Sequence, residues 1–274
     1  TATESGGDTA TATSEPTTPV VRGRLVNREA PAVLGTTRFT HTVTADAGRW
    51  SVARTHTTYQ WVRGDRSIAG ATHRRYTYAP QDVGERVRVR VTAHVPGYHP
   101  ASVLSPVAGR VAHRVGVRRT VTYSVETRGR ITISLADFRR LAQQTYDDPR
   151  GWRARGVRFV PVRRGGSFTL VLAQASRVPG FSSVCSSDWS CRVGRYVIIN
   201  QTRWKHASPA WNAARGSLRG YRHMVVNHET GHWLGRGHAS CPGRGQLAPV
   251  MMQQSKGLDG CRFNPWPTLH ELGG

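Results

Sequence analysis

The sequence predicts two domains in tandem, an all-β module followed by an α+β domain. Three observations carry this. The pattern changes near residue 115, from short alternating strands separated by turn residues to strands interleaved with helical stretches. All the cysteines, at 185, 191, 241 and 261, lie after that change. At 274 residues the chain is long enough for a core in each half, and no stretch approaches the run of about eighteen apolar residues that crosses a membrane.

Residues 1–19 are built almost wholly from Thr, Ala, Ser, Gly, Glu and Pro, with little to bury, and predict a disordered linker. No leader stands ahead of it, so either trimming or an upstream leader and anchor is expected. Residues 20–114 form the all-β part. Within them Arg86-Val87-Arg88-Val89-Arg90-Val91 alternates strictly, which sets Val toward a core and Arg toward solvent in a half-buried strand. Trp61, in Tyr59-Gln60-Trp61, is the expected core aromatic. Together with Ile68-Ala69-Gly70-Ala71-Thr72, Tyr76 and Asp82-Val83-Gly84, the segment resembles the immunoglobulin-like repeats of bacterial surface proteins. That resemblance implies a β-sandwich acting as a spacer or adhesive module, here without an inter-sheet disulfide.

Residues 115–274 form the second domain. Val121, Tyr123 and Val125 alternate as a strand. A helix then starts at Ser134 as N-cap, with Asp137 answering it and Ile133 set against Phe138 as a hydrophobic staple, and Asp147-Asp148-Pro149 ends it. Val157–Val162, Phe168–Leu172 and Tyr196–Asn200 read as further strands. A second helix begins after Ser217, where Tyr221, Met224, Val225, His228 and His232 recur at three- and four-residue steps and mark its buried face. His223 lies off this stripe and is expected in solvent.

That helix carries His228-Glu229-Thr230-Gly231-His232-Trp233-Leu234-Gly235-Arg236-Gly237-His238, which fits HExxHxxGxxH. His228 and His232, four apart, stand one above the other and can reach a single ion. Gly235 can take positive φ, end the helix and return the chain, so that His238 becomes a third ligand. Glu229 sits beside the first ligand, placed to act on a water rather than to bind the ion. Three neutral imidazoles with an open fourth position are the ligand set of catalytic zinc.

HExxHxxGxxH is the signature of the metzincin zinc peptidases, and the chain resembles them. The resemblance implies a methionine turn under the histidines. Ala248-Pro249-Val250-Met251-Met252-Gln253 supplies one, with Met251 preferred over Met252 because it follows an aliphatic residue. Some metzincins set a tyrosine just after this turn; no Tyr follows residue 221, so an extra oxyanion donor is unassigned. More narrowly, residues from about 119 to 267 look like a family of secreted actinobacterial proteins with a metallopeptidase-like domain. The residues that carry this likeness are Asp148-Pro149-Arg150-Gly151-Trp152, Val226-Asn227-His228-Glu229, Cys241-Pro242-Gly243, Pro249–Gln254 and Asn264-Pro265-Trp266-Pro267. The implied fold class is an all-β Ig-like sandwich followed by an α+β metzincin-like zinc peptidase domain, a twisted sheet packed on two helices above a cleft. A peptide substrate would lie along an edge strand between Val184 and Asn200.

Four cysteines allow three connectivities, and nearest-neighbour pairing of Cys185 with Cys191 and Cys241 with Cys261 closes two short loops near the site. The rival reading makes Cys241, three residues after His238, a metal ligand. Disulfides imply an oxidising, extracellular compartment, so a secreted or cell-surface protein is expected. The formal charge is +23, yet nearly every basic residue is Arg, with Lys205 and Lys256 the exceptions, and the arginines are scattered. No nucleic-acid motif accompanies them, which leaves salt-dependent contact with cell-surface polyanions. The expected activity is a secreted zinc endopeptidase. Its alternatives are a zinc hydrolase of cell-wall peptide or amide bonds and a non-catalytic surface-binding protein.

Overall fold

The computed structural model describes residues 11–17, 21–53 and 56–273. Of the predicted linker, 11–17 is exposed and without helix or strand; the remainder of that expectation lies outside the described residues. The chain divides into two compact units, one drawn from Thr1–Thr36, Thr42–Tyr76 and Arg86–Gly109, the other from Thr37–His41, Thr77–Glu85 and Arg110–Gly274. Three stretches expected in the first domain, 37–41, 77–85 and 110–114, thus belong to the second unit. They are tied to one another by parallel bridges between Arg38 and Ala112 and between Val83 and Val111.

The first unit is built from strands. Its longest, His56–Arg63 and Val87–His94, pair antiparallel over eight residues and are flanked by Ala101–Leu104 and Arg66–Ser67 in a four-stranded sheet. The Val/Arg alternation sorts as its period demands: Val87, Val89, Val91 and Ala93 are buried while Arg90 is exposed. Trp61 is fully buried, stacks on Tyr76 at 5.2 Å, and donates its indole N–H to the His73 carbonyl at 2.9 Å.

The second unit is mixed. β1 (Arg119–Arg128), β2 (Val157–Pro161), β3 (Phe168–Ala173), β4 (Cys191–Val193) and β5 (Tyr196–Asn200) form one sheet in the order β2-β1-β3-β5-β4, parallel except for β4. α1 (Leu135–Asp147) follows β1; α2 (Gln201–His206), α3 (Pro209–Ala213) and α4 (Leu218–Trp233) follow β5. The central strand β3 is buried at every residue. Phe168, Leu170 and Leu172 join the core shared with α1 and α4, while Val171 and Ala173 meet Val178, Cys185 and Ile198 on the other face. Burial on both faces is why β3, broken only by Thr169, and β5, up to Asn200, read as nearly continuous apolar runs rather than alternations.

α1 begins as expected, with the Ser134 hydroxyl accepting the Asp137 N–H, and Ile133 packs on the core that holds Phe138. The return half of the predicted capping box is different: the Asp137 carboxylate accepts from Arg140 at 2.8 Å instead. Among the described residues no helix is long and apolar enough to cross a membrane.

Candidate metal centre

α4 is capped by Ser217, whose hydroxyl accepts the Gly220 N–H, and is buried without interruption from His223 to Gly231. A helix enclosed on all sides needs a small residue where its neighbours come closest. Gly231 is that residue, since a Cβ there would run into the Met251 sulfur and the Trp152 ring. At the other end the helix closes in a Schellman motif: Arg236 N–H donates to the Gly231 carbonyl and Gly235 N–H to that of His232, with Gly235 at φ +86°. The reversal leads directly to His238.

The three predicted ligands converge. His232 Nε2 lies 3.1 Å from His228 Nε2 and 3.1 Å from His238 Nε2. His228 Nδ1 is 2.8 Å from the Val250 carbonyl, and His232 Nδ1 is 2.8 Å from that of Arg236. A carbonyl can only accept, so both Nδ1 atoms carry the proton and both Nε2 atoms present lone pairs to one point. Burial pushes His228 down to about 3 and also lowers His232 and His238, which favours the neutral form of each. Two imidazoles sharing a tetrahedral ion at ~2.0–2.1 Å would hold their nitrogens about 3.3 Å apart, so the donor set fits zinc.

Glu229 is fully enclosed by the protein apart from its face on the cleft. Burial pushes it up to about 8, against the opposing pull of Arg192. Among the described residues its carboxylate makes no hydrogen bond. It lines a cleft of about 850 Å³ with the three histidines, Arg192, Trp189 and Lys256. One wall is the loop between Cys185 and Cys191, which are disulfide-bonded. Asn200 fixes that loop by donating to the Ser187 carbonyl at 2.7 Å, and Arg203 stacks on Trp189 at 4.8 Å. β4 continues from this loop as the antiparallel edge of the sheet, inside the window expected for an edge strand. Its Arg192 reaches α4 to donate to the His232 carbonyl at 2.8 Å.

Beneath the histidines lies the 250–251 turn. Met251, not Met252, is the residue against Gly231; Met252 packs with Ala248 and Cys261 in a separate cluster. Cys241 is bonded to Cys261 across 20 residues, so the rival reading of Cys241 as a metal ligand fails: its sulfur is already committed. The motif clusters at 148–152 and 264–267 meet behind α4. Trp152 donates to the Asn227 carbonyl at 2.9 Å, Asn227 donates to that of Pro265 at 2.9 Å, and Arg150 stacks on Trp266 at 4.3 Å.

His223 corrects the expectation of a solvated side chain. It is 7% exposed, its Nδ1 lies 2.8 Å from Thr145 Oγ1 on α1, and its ring packs on Trp266 at 4.8 Å. The three- and four-residue stripe marks only one buried face of α4, whereas α1 and the 264–267 segment cover the others. Arg192 and Glu271 also belong to the site, and the sequence does not mark either. Arg192 carried no signal, being one arginine among many. Thr268-Leu269-His270-Glu271 does match a capping box, and Thr268 N–H and Glu271 Oε2 pair at 2.7 Å, but nothing local reveals that the same carboxylate also reaches Val250 and Met251.

No curated protein and no solved structure matches the chain. Residues 99–265, more than half of its length, match the family described as protein of unknown function (DUF3152), and the chain belongs to that family.

Proposed function

We propose that the chain is a secreted, zinc-dependent endopeptidase whose second unit is metzincin-like, with the first serving as an Ig-like spacer or adhesive module. The observation that carries this reading is the convergence of three imidazole nitrogens beside a buried carboxylate at the base of a cleft. A purely structural zinc site has no use for Glu229. Two disulfides support the extracellular setting.

His228, His232 and His238 would hold the zinc, which when bound acidifies water to a pKa of about 7 and polarises a carbonyl. The chain's own residues do the rest. Glu229 takes the proton of the attacking water and returns it to the leaving nitrogen. To act as base Glu229 must start ionised, which the charge of a bound ion would favour against the burial that pushes it up; the same burial would then hold the proton for transfer rather than release it to solvent.

β4 offers the edge along which an extended peptide can lie. Val193 and Tyr196 flank a two-residue loop whose Gly194 has φ +51°, the arrangement in which the flanking residues form a hydrogen-bonded pair. Arg192 and Val197 are then a non-hydrogen-bonded pair, and the Arg192 main-chain N–H and carbonyl face outward, free to meet a substrate backbone.

The test is cleavage of a mixed peptide library and of purified cell wall by the wild type, the chelated protein and Glu229→Gln. Wild-type cleavage should be abolished by chelation and restored by zinc. Glu229→Gln should retain zinc but lose turnover by about 100-fold or more, in line with the contribution of general acid–base catalysis. Unchanged turnover in that variant would reject the role of Glu229. Cleavage of cell wall without any cleavage of free peptides would move the substrate to a wall amide.

A further inference from the structure

The 250–251 turn is held from the far end of the chain. Glu271 is buried, and its carboxylate accepts four hydrogen bonds: Oε2 from Val250 N–H at 3.0 Å, Thr268 N–H at 2.7 Å and Thr268 Oγ1 at 2.9 Å, and Oε1 from Met251 N–H at 2.8 Å. The two bonds to Thr268, with the return bond from Glu271 N–H to Thr268 Oγ1, complete a capping box on the last turn of the chain. The two bonds to Val250 and Met251 are not part of that cap.

Their geometry leads to the histidines. The carbonyl of Val250 and the N–H of Met251 belong to one planar peptide group. Glu271 Oε1 holds the N–H edge of that group, and His228 Nδ1 donates to its carbonyl edge at 2.8 Å. One amide therefore separates a buried carboxylate from the imidazole. A charge accepting at the N–H polarises the amide and makes its carbonyl a better acceptor, which favours the Nδ1–H tautomer and leaves the Nε2 lone pair facing the other two histidines. The next carbonyl, that of Met251, accepts the N–H of Ala239, immediately after His238. The turn clamped by Glu271 thus touches the supports of two of the three histidines.

We infer that Glu271 is a positioning residue for the metal centre, acting through the Val250–Met251 amide to fix the orientation and tautomer of His228. The inference rests on the reading of His228 as a zinc ligand only where zinc affinity is concerned; its effect on the tautomer stands apart from that reading.

The experiment compares Glu271→Gln with Thr268→Val. Gln has one acceptor oxygen, which settles where three donors converge, and turns its NH₂ toward Met251 N–H. Thr268→Val weakens the cap but leaves Val250 and Met251 held, so it controls for simple loss of stability. Two readouts are taken, the ¹⁵N imidazole spectrum of His228 in metal-free protein and zinc affinity by chelator competition. In Glu271→Gln the fixed Nδ1–H signal of His228 is expected to give way to tautomer averaging, and zinc affinity to fall about 10–100-fold, the usual effect of losing the partner behind a ligand. Thr268→Val should keep both. Retention of the Nδ1–H signal in Glu271→Gln, or equal losses in the two variants, would overturn the inference. If the wild type binds no zinc, the tautomer still decides the role of Glu271, and only the metal reading falls. Should Glu271→Gln fail to fold, hydrogen exchange in the unmodified chain decides. Zinc slows exchange at Val250 and Met251 N–H if ligand and turn are linked, and leaves it unchanged if they are not.

Discussion

His223 and His228 lie on the same helix and are both buried, yet only one was legible as a special residue. The spacing of His228, His232 and His238 is local, set by helix pitch and a glycine reversal, so the sequence displays it whole. His223 is enclosed by Thr145 on α1 and by Trp266, both far away in the chain, and no periodicity within α4 records them. Its burial has a consequence for pH. Burial, with Arg219 adding to it and Asp148 opposing, pushes His223 down to about 4. Above about pH 6.5, the ordinary histidine value, both folded and unfolded chains hold it neutral and it confers no pH dependence. Between about 6.5 and 4 the unfolded chain binds a proton that the folded chain refuses, so stability falls as pH falls, and below about 4 the loss levels off. Thermal unfolding followed across this window should therefore be steeper in pH for the wild type than for His223→Gln. Parallel curves would show that His223 is not held neutral by the fold.

At the scale of elements, the long ones were readable and the short ones were not. β1, β2, β3, β5, α1 and α4 follow from alternation, apolar runs, helix period and caps. β4 has three residues and α3 has five, too few for any period to establish itself, and both are fixed by contacts with neighbours. The close approach of α4 to the 250–251 turn is testable through Gly231. Gly231→Ala gains helix propensity, yet its methyl must displace Met251 and Trp152, and overpacking of this kind costs about 1–3 kcal/mol. Chemical denaturation should show a net loss of stability; a gain would mean that the turn does not press on the helix. Met251 packs against Gly231 while Met252 lies in a separate cluster, a distinction that nothing local in Val250-Met251-Met252 records. The disulfide from Cys241 to Cys261 closes the loop that contains this turn. In the chain-entropy model a loop of that length is worth roughly 3 kcal/mol, so a Cys241→Ser, Cys261→Ser double variant should lose about that much in the second unit. Circular dichroism should show the strands of the first unit still folded at the temperature where the second has melted. An unchanged melting temperature would make the bond a surface staple with no bearing on the site.

Among the described residues of the whole molecule, the His228, His232 and His238 cluster lies in the mixed unit. The charge of +23 is spread over both units as scattered arginines and identifies no partner. Domain limits were less legible than domain content: 37–41 and 77–85 read as part of the strand-rich half, but they pair with 110–114 and join the second unit. That pairing is non-local and leaves no trace in composition. The function rests on whether the three converging imidazoles hold a metal, and metal analysis of the purified protein measures this directly. After exposure to zinc and removal of the excess, the wild type should retain close to one zinc per chain, and His228→Ala and His232→Ala, each folded, should retain almost none. A folded wild-type protein without zinc, or full retention in both variants, would contradict the account.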